Sequence, residues 1–230
     1  MEQQTEARDY VLLLDKPLKW TSFDVVNKVR YGGKFKKVGH AGTLDPLATG
    51  LLILCTGKKT KEIDTYQAQE KEYTGTLVLG KTTPSVDLET DFDATYPIEH
   101  ITESAISEVV ANLTGHIEQI PPTHSAIKIN GKRAYESARK GQDVEIKPRQ
   151  VEVKEFEVDT SNFPEIHFRI VCSKGTYIRS MVRDFGKMLD SGAYMSALRR
   201  TRIGNFKIED AKTIEQFLES LRDENGDLRF

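Results

Sequence analysis

Apolar residues along the chain fall into short continuous runs and into spaced patterns, and each spacing predicts a different element. The run Leu51–Cys55 is continuously apolar and stops at Thr56 and Gly57, which indicates a buried strand. Alternation of apolar and polar side chains is typical of a strand with one buried face. By these criteria the sequence predicts strands over residues 10–14, 51–55, 71–79, 151–158 and 165–172.

Helices are predicted where an apolar stripe recurs every three to four residues behind a capping residue. A helix capped at Thr21 or Ser22 is expected to run to about residue 30, with Phe23, Val26 and Val29 on one apolar face. The other predicted helices cover residues 102–113, ending before Gly115, residues 135–140 and residues 176–189.

Strands and helices interleave without the βαβ rhythm of a parallel sheet. The pair Asn130-Gly131 suits a tight turn, so residues 127–129 and those after 131 are expected to form a hairpin. The predicted fold class is therefore α+β, with a mixed, largely antiparallel sheet flanked by helices.

At 230 residues the chain can bury one core, or one core with a small appendage. No apolar run reaches the ~18 residues of a membrane span, and the polar N-terminus is not a signal peptide. Cys55 and Cys172 lie in apolar runs without metal or redox spacing, which favours buried, reduced thiols. We expect a cytoplasmic monomer.

The formal net charge of −2 hides an uneven distribution. Segment 85–108 carries seven acids and no Lys or Arg, whereas segment 128–149 carries seven bases against three acids. Shorter basic clusters occur at 34–37, 58–61 and 199–202. A polyanion responds to a local charged face rather than to the net charge. These clusters therefore favour an RNA-binding surface, although most such clusters are simply solvated.

Residues 39–52 place one carboxylate, Asp45, among glycines and directly before Pro46. Glycines at 39, 42 and 50 let the backbone approach another group closely, and Pro46 fixes the turn. On its own, such a stretch is most often an ordinary turn. Because a buried strand follows it, the loop also suits a functional carboxylate on a rigid scaffold.

The loop Gly39–Leu52 closely resembles the catalytic motif of the TruB family, the tRNA pseudouridine-55 synthases. Further blocks match that family in the same order over about residues 10 to 207. These are Lys16-Pro17 with Trp20-Thr21-Ser22, Lys71-Glu72-Tyr73 with Leu79-Gly80, Ile120–Lys128 with Gly131–Gly141, Val171–Arg179 and Leu198-Arg199-Arg200. From its sequence the chain is identified as a member of this family.

The resemblance implies the conversion of uridine to pseudouridine, which breaks a C–N glycosidic bond and forms a C–C bond at the same sugar. It makes Asp45 the essential carboxylate, Tyr73 the ring that stacks on the flipped uracil, and Arg179 the cation that pairs with Asp45. The resemblance, together with the charge pattern, gives substrate-binding roles to His40, Tyr177, Leu198, Lys16, Lys132 and Arg133.

The same resemblance implies the T arm of tRNA as the substrate, modified at position 55, without a cofactor or a protein partner. The basic insertion 120–149 would clamp the RNA. Residues 1–207 would form the catalytic domain and residues 208–230 a short acidic helical tail, with no room for the C-terminal PUA-type domain of many bacterial members. The five histidines show no metal-ligand spacing, so no metal is expected.

The sequence departs from the family pattern at three places. Lys19 stands where glycine is usual, His124 stands where tyrosine is common, and Thr83–Asp87 replaces a Thr-Asp-Thr-x-Asp pattern while keeping Asp87. Two other functions stay open. One is a tRNA-folding chaperone with a vestigial pocket, although a pure binder has no use for an ionised Asp45 facing a polyanion. The other is a guide-RNA-dependent pseudouridine synthase, against which the insertion at 120–149 argues.

Overall fold

A computed structural model describes residues 8–122, 128–129, 132–133, 146–223 and 227. The chain divides into two compact units. The first contains the residues up to Tyr73 together with those from Arg199 onward, and the second contains Thr74–Leu198.

The strands are numbered in chain order. They are β1 Val11–Lys16, β2 Val38–His40, β3 Ala48–Thr56, β4 Lys71–Leu79, β5 Lys81–Thr82, β6 Ala94–Thr95, β7 Gly115–Gln119, β8 Lys128–Ile129, β9 Lys132–Arg133, β10 Arg149–Asn162, β11 Glu165–Cys172, β12 Ala193–Ile203 and β13 Phe206–Lys207. The five predicted strands correspond to β1, β3, β4, β10 and β11, so these predictions are confirmed.

The α-helices of the described residues are α1 Ser22–Gly32, α2 Ile63–Gln67, α3 Glu103–Asn112, α4 Ile178–Met188 and α5 Ile214–Ser220. The predicted helices that begin near Thr21, at Thr102 and near Thr176 are confirmed as α1, α3 and α4. The predicted helix 135–140 lies outside the described residues.

In the first unit, β1 and β3 pair antiparallel, from Val11 opposite Cys55 to Lys16 opposite Gly50. Alternate residues of β3 enter two different apolar clusters: Leu52 and Leu54 enter one, and Leu51, Ile53 and Cys55 the other. Successive side chains of a strand point to opposite faces, so both faces of β3 are covered. This explains why the sequence of β3 is continuously apolar instead of alternating.

Helix α1 begins with a capping box, in which the Thr21 hydroxyl accepts from the Asp24 amide and the Asp24 carboxylate accepts from the Thr21 amide. Its buried apolar residues are Val25, Val26 and Val29, whereas Phe23 is 64% exposed. The prediction that Phe23 lies on the buried face is therefore wrong. At 100° per residue, Phe23 lies about 110° from the centre of the valine stripe, beyond the edge of the buried face.

The last helix, α5, belongs to the core of the first unit. Its Ile214 and Phe217 are buried in one cluster with Leu14 of β1, the valines of α1 and Leu52 of β3. The predicted domain boundary at residue 207 stays a prediction, but the helix that follows this boundary supplies apolar area that β1 and α1 need for burial.

The second unit orders its strands β12, β4, β11, β10 and β7. β10 is antiparallel to both β11 and β7, and the short pairs β5–β6 and β8–β9 are antiparallel too. The antiparallel pairing of β8 with β9 agrees with the predicted hairpin, whose turn residues lie outside the described residues. The α+β class with a largely antiparallel sheet is likewise confirmed.

Cys55 and Cys172 are buried free thiols, as predicted. Burial, together with the negative charge of Glu62, raises the pKa of the Cys55 thiol to about 11, so it stays protonated at neutral pH. Among the described residues, no helix has both the length and the apolar character that a membrane crossing requires.

Candidate active site

Asp45 lies in the loop that leads into β3, as the sequence predicts, and it is half-buried there. Its carbonyl accepts a hydrogen bond from the Ala48 amide at 3.0 Å, which closes the turn around Pro46. Gly50, at the start of β3, has a φ of +104°, and a Cβ atom there would lie 2.3 Å from the carbonyl oxygen of Arg200. Glycine is therefore required at position 50, because a side chain would push apart the two strands behind the loop.

Lys16, at the end of β1, is fully buried, and its side chain is hydrogen-bonded to this loop. Its ammonium donates to the carbonyls of Pro17 at 3.0 Å and Pro46 at 3.4 Å, and also to that of Trp20. Burial lowers the pKa of Lys16 to about 8; the nearby Asp45 carboxylate opposes this shift, and Arg200 adds to it. A cation thus sits beside the predicted catalytic acid. Whether Lys16 also contacts substrate stays a prediction.

Two further contacts bind the segment after β1 to the Asp45 loop. The Ser22 hydroxyl accepts from the Leu44 amide at 2.9 Å and donates to the Leu44 carbonyl at 3.2 Å, and this hydroxyl is buried. The Lys19 amide donates to the Pro46 carbonyl at 2.8 Å. The residues on either side of Asp45 are therefore both fixed, which restricts where its carboxylate can point.

The backbone of Lys19 explains the first departure from the family pattern. Its φ of +66° lies in the left-handed region, which glycine adopts without strain and lysine does not. The glycine that is usual at this position fits the same conformation. This chain therefore keeps the turn and accepts a local conformational cost of about 1 kcal/mol.

Arg200 is buried, and it donates hydrogen bonds to backbone carbonyls of the loop and of β3. It donates from Nε to the Leu51 carbonyl at 2.8 Å and from Nη2 to the Gly42 carbonyl at 3.2 Å. The prediction that the cluster 199–202 forms part of an RNA-binding surface is therefore wrong for Arg200. The two neighbouring arginines form ion pairs with carboxylates. Arg199 forms a two-point ion pair with Asp15, and Arg202 pairs with Glu70 and Glu72.

His40 closes β2 directly before the loop. Burial lowers the pKa of His40 below its usual 6.5; a backbone hydrogen bond with Gly42 opposes this shift, and the positive charge of Arg200 adds to it. The ring is therefore neutral at physiological pH. Within the described part of the chain, His40 Nδ1 is the one buried side-chain polar atom without a hydrogen-bond partner. A buried polar atom in this state is costly, which makes it a site where a substrate group can bind.

Tyr73 and Leu198 are both buried strand residues. Tyr73 lies on β4 in the first unit, and Leu198 lies on β12 in the second unit. Lys71 lies two residues before Tyr73, on the same face of β4. Its ammonium donates to the carbonyls of Gln67 and Gln69 at the end of α2. The half-buried pattern predicted for β4 is confirmed, while the roles of Tyr73 and Leu198 toward uracil stay predictions.

Arg179, in the first turn of α4, is buried, unlike most arginines at such a position. In the second unit its Nη1 donates to the Ser85 carbonyl at 3.1 Å, and its Nε lies 3.9 Å from a carboxylate oxygen of Asp87. Asp87 is buried too, and it accepts from the Glu89 amide at 3.0 Å. The guanidinium is therefore held in a fixed orientation. Its pairing with Asp45 stays a prediction.

The segment that holds Arg179 contains the third departure from the family pattern. Pro84, in place of the middle acid, is exposed, whereas the Ser85 hydroxyl is buried and donates to the Asp87 carbonyl at 3.1 Å. Val86 has a φ of +66°, a strained conformation for a β-branched residue. The departure thus leaves the polar groups around Arg179 in place.

Tyr177, at the N-terminus of α4, is held by a residue that sequence reasoning missed. The side-chain amide of the buried Gln119 accepts from the Tyr177 amide at 2.8 Å and donates to the Tyr177 carbonyl at 3.1 Å. The Arg149 guanidinium lies over the Tyr177 ring, 5.1 Å from its centre. In the sequence, Gln119 stands directly before the block Ile120–Lys128, which could have drawn attention to it. Nothing in that pattern indicates that its partner is Tyr177.

The remaining sequence-predicted residues can be placed only in part. Lys132 and Arg133 form the two-residue strand β9, and the structure describes their backbone pairing with β8. Most of the basic insertion, together with His124, lies outside the described residues.

Comparison with known proteins decides the family. A family model described as TruB family pseudouridylate synthase (N terminal domain) matches residues 30–178. A second model, described as tRNA pseudouridylate synthase B C-terminal domain, matches residues 179–229. The chain belongs to the TruB family.

Individual TruB proteins match over almost their whole length. One from Phocaeicola vulgatus, named tRNA pseudouridine synthase B, is 57% identical over 92% of this chain and 92% of its own length. Proteins of the same name from Flavobacterium johnsoniae and Chlorobaculum tepidum are 55% and 45% identical, and the matches cover 96% and 92% of their lengths.

Among solved structures, Cbf5 from a Cbf5–Nop10–Gar1 complex is 31% identical to this TruB-family chain, with a TM-score of 0.71. An H/ACA RNP structure bound to a substrate RNA containing 2′-deoxyuridine gives 28% identity and a TM-score of 0.67. Both matches cover 90% of this chain but only 53% and 52% of those chains, so this protein spans about half of their length.

The lowered pKa of Lys16 generates a stability prediction. Between pH 8 and the ordinary value of 10.5, the unfolded chain binds more protons at this lysine than the folded chain does. The free energy of unfolding should therefore rise with pH over this window, by about 1–3 kcal/mol relative to Lys16→Met, which cannot titrate. Urea unfolding of both proteins at pH 7.5 and pH 10 measures this difference. Lys212→Met, at an exposed lysine, is the control; parallel pH profiles of wild type and Lys16→Met would contradict the prediction.

The fixed guanidinium of Arg179 generates a second prediction. Arg179→Lys keeps the charge, but one ammonium cannot both donate to the Ser85 carbonyl and keep a second nitrogen near the Asp87 carboxylate. Turnover should therefore fall at least tenfold while RNA affinity changes less than threefold. Single-turnover rates and equilibrium RNA binding, compared with Arg183→Lys as a matched change on the same helix, test it. Unchanged turnover would mean that Arg179 serves only the structure of the second unit.

Proposed function

We propose that this protein isomerises uridine to pseudouridine at position 55 in the T loop of tRNA, with Asp45, Tyr73 and Arg179 as catalytic residues. The observation that carries the proposal is the placement of Asp45. Its loop is fixed by Lys16 and Ser22, and a buried cation lies beside its carboxylate. The names of relatives at 45–57% identity support tRNA as the substrate.

The reaction moves the uracil ring from a C1′–N1 bond to a C1′–C5 bond, and the proton on C5 is exchanged for one on N1. No atom is gained or lost, so no oxidant, reductant or group donor is needed. The target uridine must leave its stack before a side chain can reach it. The ionised Asp45 carboxylate then acts at the nucleotide while the neighbouring positive charge of Lys16 favours its ionised form.

The RNA-binding surface that we propose for the first unit includes a basic cavity of about 410 Å³. Two basic clusters that are separate in the sequence line it together: Lys34, Lys36 and Lys37 from the segment after α1, and Lys58 and Lys61 from the segment after β3. Asp9 is the one acid in the lining, and its carboxylate accepts a hydrogen bond from the Lys58 amide at 2.6 Å. Such a concentration of cations attracts a phosphate backbone despite the net charge of −2.

The guide-dependent alternative draws on the likeness to Cbf5 and the H/ACA RNP, but this chain spans only about half of those proteins. Its match to proteins named tRNA pseudouridine synthase B is both closer and almost complete in length. The chaperone alternative makes no use of a carboxylate that the fold anchors on both sides. Both alternatives make the same measurable claim, namely that purified protein alone forms no pseudouridine in tRNA.

The central prediction is that the purified chain converts U55 of an unmodified tRNA transcript, and that Asp45→Asn abolishes this activity. The substitution removes a charge but almost no volume, so tRNA affinity should stay within about tenfold. Site-by-site mapping of pseudouridine, together with tritium release from 5-³H-uridine, measures the reaction, and filter binding measures affinity.

Two controls sharpen this test. A transcript with cytidine at position 55 should give no product, and Asp64→Asn, an acid in α2, should leave the rate unchanged. An active Asp45→Asn variant would remove Asp45 from the catalytic role. Product at a uridine other than U55 would keep the reaction and change the site.

The basic cavity generates a further prediction. Replacing Lys37 and Lys58 together by Ala should reduce the slope of log affinity against log salt by about one to two units, since each phosphate contact contributes about 0.7 to 0.9. Filter binding with tRNA between 50 and 300 mM KCl measures the slope. Lys207 and Lys212, two exposed lysines outside the cavity, provide the matched double variant. Equal slopes for both double variants would place the RNA elsewhere.

A further inference from the structure

The three most exposed large hydrophobic side chains of the described residues lie within one stretch of fourteen residues. Tyr31 is 72% exposed, Phe23 is 64% exposed and Leu18 is 52% exposed. Leu18 lies in the turn before α1, and the two aromatic residues lie on α1 itself. Single exposed hydrophobics are ordinary, but three within fourteen residues of one another indicate a binding surface. We name these three residues the α1 patch.

The α1 patch adjoins the Asp45 loop through hydrogen bonds of its immediate neighbours. Phe23 follows Ser22, whose hydroxyl is bonded twice to the backbone of Leu44. Leu18 precedes Lys19, whose amide donates to the Pro46 carbonyl. The chain neighbours of Leu18 and Phe23 are thus bonded to the residues on both sides of Asp45, so an RNA bound at the loop passes close to this end of the patch.

The charges around the patch favour a polyanion with flat apolar groups. Lys19, Lys28 and Arg30 are exposed, and the Arg30 guanidinium lies 5.8 Å from the centre of the Tyr31 ring. The one acid of α1, Asp24, is engaged by the Thr21 amide and hydroxyl at 2.8 and 2.6 Å. Aromatic rings interleaved with cations are the arrangement that binds unpaired nucleotides, because bases stack on the rings and phosphates meet the cations.

We propose that the α1 patch binds unpaired nucleotides of the substrate RNA next to the uridine that is modified, with Phe23 stacking on a base. This rests on the proposed function for the identity of the RNA. Phe23 and Tyr31 are eight residues apart, which is about 12 Å along the helix axis, a length that spans several stacked nucleotides. Phe23 and Tyr31 are then specificity-determining residues, since they require bases that are unpaired around the target.

The test separates stacking from charge and from general apolar contact. Phe23→Ala should weaken tRNA binding at least about fivefold, because stacking on an aromatic side chain contributes substantially for each base. The salt dependence of binding should stay unchanged, since no cation is removed. Phe23→Trp should retain the affinity, and Phe23→Leu, which stays apolar but cannot stack, should lose most of it. Met188→Ala, at a 45% exposed residue of the second unit, is the control.

The outcomes distinguish this inference from the proposed function. Absence of pseudouridine with the wild-type chain would refute the proposed function. Binding of wild type and variants to a single-stranded RNA oligonucleotide tests the α1 patch whether or not product forms. Unchanged affinity of Phe23→Ala, or full affinity of Phe23→Leu, would overturn the stacking role. A loss of self-association in Phe23→Ala with unchanged RNA affinity would instead assign the patch to contacts between copies of the chain.

Discussion

The burial of one ammonium group, that of Lys16, is the constraint on which the first unit depends. A buried cation is costly unless polar groups replace its water, and here carbonyls of Pro17, Trp20 and Pro46 do so. These carbonyls come from the segment after β1 and from the Asp45 loop. Satisfying one charge therefore fixes two loops to each other, and the same charge lies close to the carboxylate of Asp45, the proposed catalytic acid.

Local patterns were sufficient for most elements of this fold. The run Leu51–Cys55 identified β3 because both faces of that strand are covered, and Thr21 identified the start of α1 because its hydroxyl caps the helix. The position of Asp45 directly before a buried strand was also readable from the order of residues. Each of these inferences depends on neighbours within a few positions, where spacing alone determines the geometry.

Contacts between distant residues could not be read in the same way. Arg200 resembles its half-buried neighbours Arg199 and Arg202 in sequence, yet it is fully buried because Leu51 and Gly42, about 150 residues earlier, offer it carbonyls. Gln119 gives no sign that it holds Tyr177, and the side of α1 that Phe23 occupies depends on where the valine stripe meets β3. In each case the partner is set by the fold rather than by the pattern.

The placement of α5 in the core of the first unit has a consequence for how the chain folds during synthesis. Leu14 and the valines of α1 leave the ribosome early, whereas Ile214 and Phe217, which complete their cluster, leave it about 200 residues later. Until then the nascent chain exposes part of an apolar surface while the second unit, a continuous segment, can already fold. Completion of the first unit's core therefore waits for α5, the last helix of the described residues to be translated.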